Sequence, residues 1–541
     1  MKEKLKNSKF ALLKFPDLFY VFSFIAGLFL ALSFPKFNLW ITGFFSFSLI
    51  IFLSKLSESL KKLFFGVLIF GVSYNFFLLY WLIYTIEKFG KLPFPVAFLL
   101  LFLLAFYLSL YYVPVFLCSK KLGLFDSPDF FKATIFSLAF AGAEFLKSKL
   151  FTGFAWESPG YLFIHISPLL QTASLWGISG LNFLSALLSY FIFFLLNIAF
   201  LSSPLKTKKH FLLNLAGFFL IFALLFVYGI KSQNHWNSLT KKEKNTLKLA
   251  LLQGNVPQEI KISGNVEYSI KTYEDLILKV LKKKPDVILL PETALNFFFP
   301  VEDSAKSFID FLKTHLSDKE IAVIFGTFRV GISQEVKIYN TLVVWEKGEV
   351  IDFYDKEKLV PFGEYVPLED IFPVLKKLYF FGNPLSSGFS KILIFYKKNK
   401  TYRILPLICF ESAFSEISCK RARLGVDFLF VATNDAWFDN TSTPYQHFQM
   451  AKVRAVEVRR YLVQVANTGI SGVIDPTGKV VFKTRVGEKA VPLVKIKLIS
   501  ESPLFVRIGD VMGFCGGAVY IVMLLFCVFR KRTAPAKKSF R

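Results

Sequence analysis

A thiol, a carboxylate and an amine stand at three separated points of this chain, each where local patterning could present it for chemistry. Cys409 closes the apolar run Leu405-Pro406-Leu407-Ile408-Cys409 and is followed by Phe410-Glu411-Ser412. Glu292 closes Leu290-Pro291-Glu292-Thr293, and Lys356 lies in Tyr354-Asp355-Lys356-Glu357-Lys358-Leu359. A thiol attacks as its thiolate, so a nucleophilic cysteine needs a base or a neighbouring cation. The histidines are poor bases here. His165 and His210 lie in or beside apolar segments, His235 and His315 in ordinary polar surroundings, and His447 begins a helical pattern 38 residues past Cys409. Glu292 could take the thiol proton instead, while Lys356 supplies a cation for an oxyanion on the attacked carbonyl. Taken singly, each residue has a plainer reading: a cysteine at a strand end as a small buried hydrophobe, and Lys356 in a solvated, charge-rich turn.

The elements that would position these groups lie in a polar stretch of about 270 residues, long enough for one complete domain. Strand patterns fall at Leu247–Gln253, Val287–Leu290, Ile321–Thr327, Thr341–Trp345, Ile404–Cys409, Phe428–Thr433, Tyr461–Val465 and Val491–Ile496. Helical patterns lie near 265–283, 303–316, 412–423 and 445–459. Strands apolar on both faces suit a layered α/β domain whose sheet is covered on each side.

Around this domain the composition is that of a membrane protein: 54% hydrophobic residues, 68 Phe and a mean hydropathy of +0.49. Eight segments approach the roughly 20 apolar residues of a spanning helix: 16–34, 37–54, 62–86, 94–118, 129–147, 178–202, 211–230 and 508–529. This divides the chain into a membrane domain over 1–234, the polar domain over 235–500, and an eighth helix with a basic tail over 501–541. The Phe-rich helices read as lipid-facing bulk. Lysine and arginine collect in alternate loops and at both ends, which predicts cytoplasmic termini and, after seven spans, a polar domain on the opposite face. The formal net charge of +26 is then a matter of topology; no basic stripe interleaved with aromatics suggests nucleic acid. The five cysteines have no paired spacing for zinc or a disulfide framework, and no metal or organic cofactor has a visible ligand set.

Together the three residues resemble the Glu-Lys-Cys triad of the nitrilase superfamily. The strings Gln253-Gly254-Asn255-Val256-Pro257-Gln258, Val360-Pro361-Phe362-Gly363-Glu364-Tyr365-Val366-Pro367 and Asn434-Asp435-Ala436-Trp437-Phe438 resemble its membrane-embedded branch, the bacterial apolipoprotein N-acyltransferases. Ala143-Glu144-Phe145-Leu146-Lys147 and Thr152-Gly153-Phe154-Ala155-Trp156 are similar to that family's membrane segments. The resemblance implies an eight-helix membrane domain with a nitrilase-like αββα sandwich on the periplasmic face of a bacterial inner membrane. It implies that Cys409 takes an acyl chain from the sn-1 ester of a phospholipid, such as phosphatidylethanolamine, and passes it to the α-amine of a diacylglyceryl-cysteine. Glu292 would be the base, and Lys356 with backbone amides the oxyanion site; no cofactor is needed, and a monomer is expected.

Glu364 and Glu411 match further acids of the family and could position Lys356 or the incoming amine. Alternatively, Glu364 is a surface acid after a turn and Glu411 bonds backbone at the strand end. Trp437 is either core or a substrate contact, and Tyr365 with Tyr379-Phe380-Phe381 either faces lipid or packs inward. An acid in a membrane helix is functional by default, but Glu144 could also snorkel or pair with Lys147. The chain departs from the family at Lys358, where a histidine is usual, and at Ile262, where an aromatic is expected. An acceptor of water instead of amine would make a membrane-anchored hydrolase. A transporter or assembly factor is disfavoured by the intact triad and by helices without an internal repeat.

Overall fold

The computed structural model describes residues 16–529 apart from 127, 202–207, 333–335, 370 and 373–383. Among these, five helices are long and apolar enough to cross a membrane: Leu60–Leu78, Phe94–Lys121, Ala173–Phe200, Lys209–Lys242 and Val511–Phe529. Pro16–Leu32 and Trp40–Leu56 are shorter apolar helices, and Phe130–Lys147, capped by Asp129, packs against Val511–Phe529. That last packing is close because glycine meets glycine. A Cβ on Gly142 would stand 2.1 Å from the carbonyl oxygen of Gly516.

Phenylalanine divides between two environments in this half. Phe47, Phe70, Phe116, Phe136 and Phe140 form a buried ring cluster between helices, whereas Phe45, Phe65, Phe98 and Phe219 are exposed. The expected lipid-facing role therefore holds for part of them only, since large rings also fill the gaps between apolar helices. The apolar segment expected over 211–230 is the middle of a longer helix, Lys208–Lys242, which runs through the expected division at 234/235. Its polar end stays helical because Arg459 of the polar domain lies over Trp236 and bonds Ser232.

The polar domain contains strands β1 (Thr246–Leu251), β2 (Val287–Leu289), β3 (Phe298–Phe299), β4 (Ala322–Ile332), β5 (Val336–Glu346), β6 (Glu349–Asp355), β7 (Leu393–Lys397), β8 (Lys400–Ile408), β9 (Phe428–Thr433), β10 (Leu462–Ala466), β11 (Gly472–Ile474), β12 (Val480–Lys483) and β13 (Leu493–Lys497). They form two sheets among the described residues, one ordered β13-β1-β2-β4-β5-β6 with β3 on β4, the other β12-β11-β10-β9-β8-β7. Period-2 patterning sends alternate residues to opposite faces. Leu247, Leu249, Val287, Leu289 and Ile324 of the first sheet meet Ile404, Ile408, Phe428, Phe430 and Val463 of the second in a dry core. Each such fully buried side chain is worth about 1.5–3 kcal/mol.

Outside the first sheet, Val266–Leu281 and Asp303–Leu316 pack Tyr273, Ile277, Phe308 and Leu312 on Ala250, Ile288, Val323 and Phe325. Outside the second, Ser415–Ala422 and Thr443–Val458 cover Leu405, Leu407, Leu429 and Val431, and their far side continues into the apolar helices as one core. The order is helix, sheet, sheet, helix. In each sheet three parallel strands joined by helices (β1, β2, β4 and β8, β9, β10) are followed by an antiparallel extension. Ligand chemistry on such sheets belongs at the carboxyl ends of the parallel strands.

Candidate active site

Cys409 is the residue immediately after β8, where the chain turns sharply into the short helix Cys409–Ala413. Its φ of +50° is left-handed, a conformation that costs a non-glycine residue energy and that a packed surrounding must enforce. Here the enforcement comes from Glu411. One carboxylate oxygen accepts the N–H of Ile408 at 2.8 Å; the other accepts the N–H groups of Glu357 at 2.9 Å and Lys358 at 3.1 Å and the Tyr354 hydroxyl at 2.6 Å. Arg421, fully buried, neutralises it from 3.4 Å and also pairs with Glu357 at 2.9 Å. Glu411 therefore bonds backbone at the strand end, as its plainer reading had it, and in the same act clamps the loop that carries Lys356.

Lys356 leaves the end of β6 with its own N–H on the carbonyl of Asn340 at 2.8 Å. Its ammonium, 1% exposed, donates to Glu364 at 2.8 Å and to Glu292 at 3.3 Å. Burial opposes its charge, yet Glu364 first, then Glu292 and Cys409, outweigh that and hold the ammonium above the ordinary lysine range. An ammonium has three donors. Two are engaged by these acids. Glu364 is thus turned inward by its turn: it accepts Val360 N–H at 2.8 Å and Asn340 Nδ2 at 3.1 Å besides Lys356.

Glu292 follows β2 and is held by three donors: Lys356, Asn340 Nδ2 at 2.8 Å and the backbone N–H of Asn434 at 2.9 Å. The close approach needs Gly326, where a Cβ would fall 2.8 Å from Glu292 Cα. Asn434 is fixed in turn by Gln258 at 2.9 Å and by Asn467 at 3.0 Å, and Asn467 exchanges bonds with the backbone of Val256. The Gln253–Gln258 string is accordingly scaffold for Glu292. Cys409 senses Glu292, Lys356 and Asp435; burial first, and then the two acids, push its thiol well above the usual range, against the pull of Lys356. A resting thiol with an anchored carboxylate beside it suits proton removal during attack better than a stored thiolate.

The remaining expected residues scatter. Trp437 is partly buried with its ring edge-on to Phe89, 5.1 Å away, and its carbonyl accepts Thr85 of the apolar half. Tyr365 is half-buried after Glu364, among the exposed side chains of Phe362, Leu368, Ile371 and Phe372; Tyr379-Phe380-Phe381 lie outside the described residues. Glu144 pairs with Lys147 at 2.6 Å and accepts Tyr112 at 2.7 Å, a closed buried network apart from the triad. Lys358 turns away from Lys356, donating to the Thr152 carbonyl at 2.6 Å with its ammonium 4.9 Å from the Phe414 ring centre. Ile262 is exposed.

Sequence reasoning missed Asn340, Lys261 and His447. Asn340 sits mid-strand with no local signal. Lys261 donates to Thr293 Oγ1 at 2.9 Å, next to Glu292, and burial brings its amine down to about 7 against the opposing pull of Glu292. His447, set aside for its distance in sequence, reaches the carbonyl of Cys409. Among the described residues there is no group of His, Cys, Asp and Glu that could hold a metal, and all five cysteines are free.

The polar domain, a two-sheet α/β sandwich, is matched over residues 248–500 by the family model described as Carbon-nitrogen hydrolase. Residues 26–191 match the Apolipoprotein N-acyltransferase N-terminal domain. The apolipoprotein N-acyltransferase of Geobacter metallireducens is 32% identical over 94% of this chain and 95% of its own. That of Haemophilus influenzae is 32% identical over 85% of each, and that of Aquifex aeolicus 30% identical over 87% of this chain and 96% of its own. The chain belongs to the apolipoprotein N-acyltransferase family. Among solved structures, a Saccharomyces cerevisiae member of branch 10 of the nitrilase superfamily aligns over 55% of this chain and 98% of its own, at 19% identity and a TM-score of 0.36.

Proposed function

We propose that the chain completes lipoprotein maturation by ping-pong acyl transfer at a membrane surface. Cys409 attacks the sn-1 ester carbonyl of a phospholipid, typically phosphatidylethanolamine, as Glu292 takes the thiol proton. The oxyanion is met by the third donor of Lys356 and by backbone N–H. Collapse breaks the ester C–O bond, Glu292 protonates the departing lysophospholipid, and the acyl chain remains as a thioester. The α-amine of a diacylated apolipoprotein then attacks, Glu292 receives its proton, and the C–S bond breaks to release amide and thiol. Glu364 positions Lys356, and Glu411 clamps the elbow to the lysine loop.

The observation that carries this reading is the buried pairing of Lys356 with Glu292 and Glu364, tied through Glu411 to the strand end that bears Cys409, in a domain continuous with apolar helices. Both substrates carry chains whose removal from lipid costs about 0.8 kcal/mol per CH₂, so an interfacial pocket avoids that cost. Eight spans, cytoplasmic termini and a periplasmic catalytic face of the inner membrane complete the proposal, supported by the alternation of basic loops.

Incubation of the full-length protein with phospholipid labelled in its sn-1 chain is expected to leave hydroxylamine-sensitive label on Cys409, absent from Cys409→Ala. A diacylated lipopeptide should discharge that label onto its amine. Discharge solely as free fatty acid would identify a hydrolase, and no label at all would end the thioester reading.

A further inference from the structure

His447 is a buried titratable group at the elbow that the acyl-transfer scheme leaves unused. It lies in the second turn of Thr443–Val458, 1% exposed, with the elbow on one side and the end of β9 on the other. Its Nδ1 is 3.2 Å from Asp435 Oδ1, which also accepts the Thr433 hydroxyl at 2.8 Å. Its Nε2 is 3.1 Å from the carbonyl oxygen of Cys409 and 2.7 Å from Ser412 Oγ. Nδ1 thus faces a carboxylate and, at 3.4 Å, the Thr433 hydroxyl, while Nε2 faces a carbonyl and the Ser412 hydroxyl. Donation from Nδ1 to Asp435 and from Nε2 to the Cys409 carbonyl uses a proton on each nitrogen, with the Ser412 hydroxyl accepting beside the carbonyl. The ring is also covered from the apolar half. Trp156 lies 5.7 Å from it and stacks at 19° on Phe410, the residue next to the nucleophile.

The carbonyl that His447 bonds belongs to the peptide joining Cys409 to Phe410. A donor on a peptide oxygen strengthens the N–H of the same peptide as a donor, because hydrogen bonds polarise one another in a low-dielectric interior. That N–H is the backbone donor adjacent to the attacking sulfur, where the oxyanion of an attacked ester forms. We infer that His447, held by Asp435, is a positioning residue of the elbow: it fixes the Cys409–Phe410 peptide and polarises it toward the oxyanion. The inference rests on Cys409 being the nucleophile and adds a group that acts on the same step through the backbone.

Two reactions of Cys409 separate this role from mere packing. Acylation by p-nitrophenyl butyrate forms a C–S bond, expels p-nitrophenolate and passes through an oxyanion. Alkylation by iodoacetamide forms a C–S bond, expels iodide and passes through none. Measured on the full-length protein, with modification located at Cys409 by peptide mass spectrometry, His447→Leu is expected to slow acylation about 100-fold and to change alkylation less than about threefold. His447→Gln, which retains a side-chain N–H, is expected to recover at least tenfold of the acylation loss. Should His447→Leu fail to fold, Asp435→Asn provides the same comparison, with acylation again falling more than alkylation. Equal loss of both reactions, unchanged acylation, or Gln no better than Leu overturns the inference. Wild-type protein that alkylates at Cys409 but never acylates there overturns the nucleophile assignment and the inference with it.

Discussion

At Lys356 the decisive quantity is the number of donors on a buried ammonium. The ammonium is committed to Glu364 and Glu292, so its removal leaves two carboxylates facing each other at Asn340 and, in the proposed mechanism, would deprive the oxyanion of a charged partner. Lys356→Met is expected to lower the rate of Cys409 acylation by about 10²–10³, measured as single-turnover label transfer. Lys261 carries a different consequence. Its amine is brought down to about 7 in the fold, chiefly by burial, and returns to the ordinary lysine value of about 10.5 on unfolding. The unfolded chain binds more protons between these values, so stability rises with pH across that window. Lys261→Met is expected to raise the thermal midpoint near pH 7, with the advantage over wild type shrinking as pH approaches 10. A difference independent of pH would show that the amine stays charged in the fold.

Among the elements, the elbow after β8 and the loop after β6 are one unit because a single carboxylate bridges them. Glu411 holds Ile408 N–H on one side and Glu357 and Lys358 N–H on the other, with Arg421 as counter-charge. Removing one member of a buried pair leaves the other charge uncompensated, at a cost of about 3–5 kcal/mol. Glu357 remains as a partner for Arg421, which places Glu411→Ala at the lower end, about 3 kcal/mol. The measurement is the denaturant midpoint of the polar domain's tertiary fluorescence, and Glu411→Gln, which keeps an acceptor, should lose less. The break in Ala173–Leu201 has a comparable partner: Gly177 adopts a φ of +63°, and the N–H of Ile178 goes to Glu457 at 2.7 Å.

Across the whole molecule, the two halves are joined by polar contacts within a continuous apolar core. Gln446, beside His447, accepts the indole N–H of Trp156 at 2.8 Å and of Trp81 at 3.2 Å. Its amide donates to the carbonyls of Pro35 and Leu78 at 3.3 Å each. A buried donor stripped of its partner costs about 1–3 kcal/mol. Gln446→Leu strands two, so it is expected to loosen docking of the halves, seen as faster proteolysis between them and a lower thermal midpoint. Gly142→Leu should disrupt the packing of Phe130–Lys147 on Val511–Phe529 more severely, because the obstruction is backbone rather than a side chain that can turn away.

Local patterning was enough to locate Cys409 and Glu292 at strand ends, to find β9 over Phe428–Thr433, and to separate a polar domain from apolar helices, since alternation and long apolar runs are written in consecutive residues. The same means failed for β6 and β7. Both occupy sheet edges; in β6 the acids Glu349, Asp352 and Asp355 dilute the apolar signal, whereas β7 is a short apolar run, Leu393-Ile394-Phe395-Tyr396, before Lys397. The length of β4 and β5 was also underestimated, because their outer portions extend past the core as a hairpin. What only the tertiary structure decided are the pairings between distant strands: Asn340 on Glu292, Glu411 on the N–H groups of Glu357 and Lys358, and His447 on the carbonyl of Cys409. A residue's type and neighbours in sequence determine what chemistry it can perform. Which partners hold it to that chemistry depends on which strand ends the folded sheets bring together, and no single stretch of sequence contains that information.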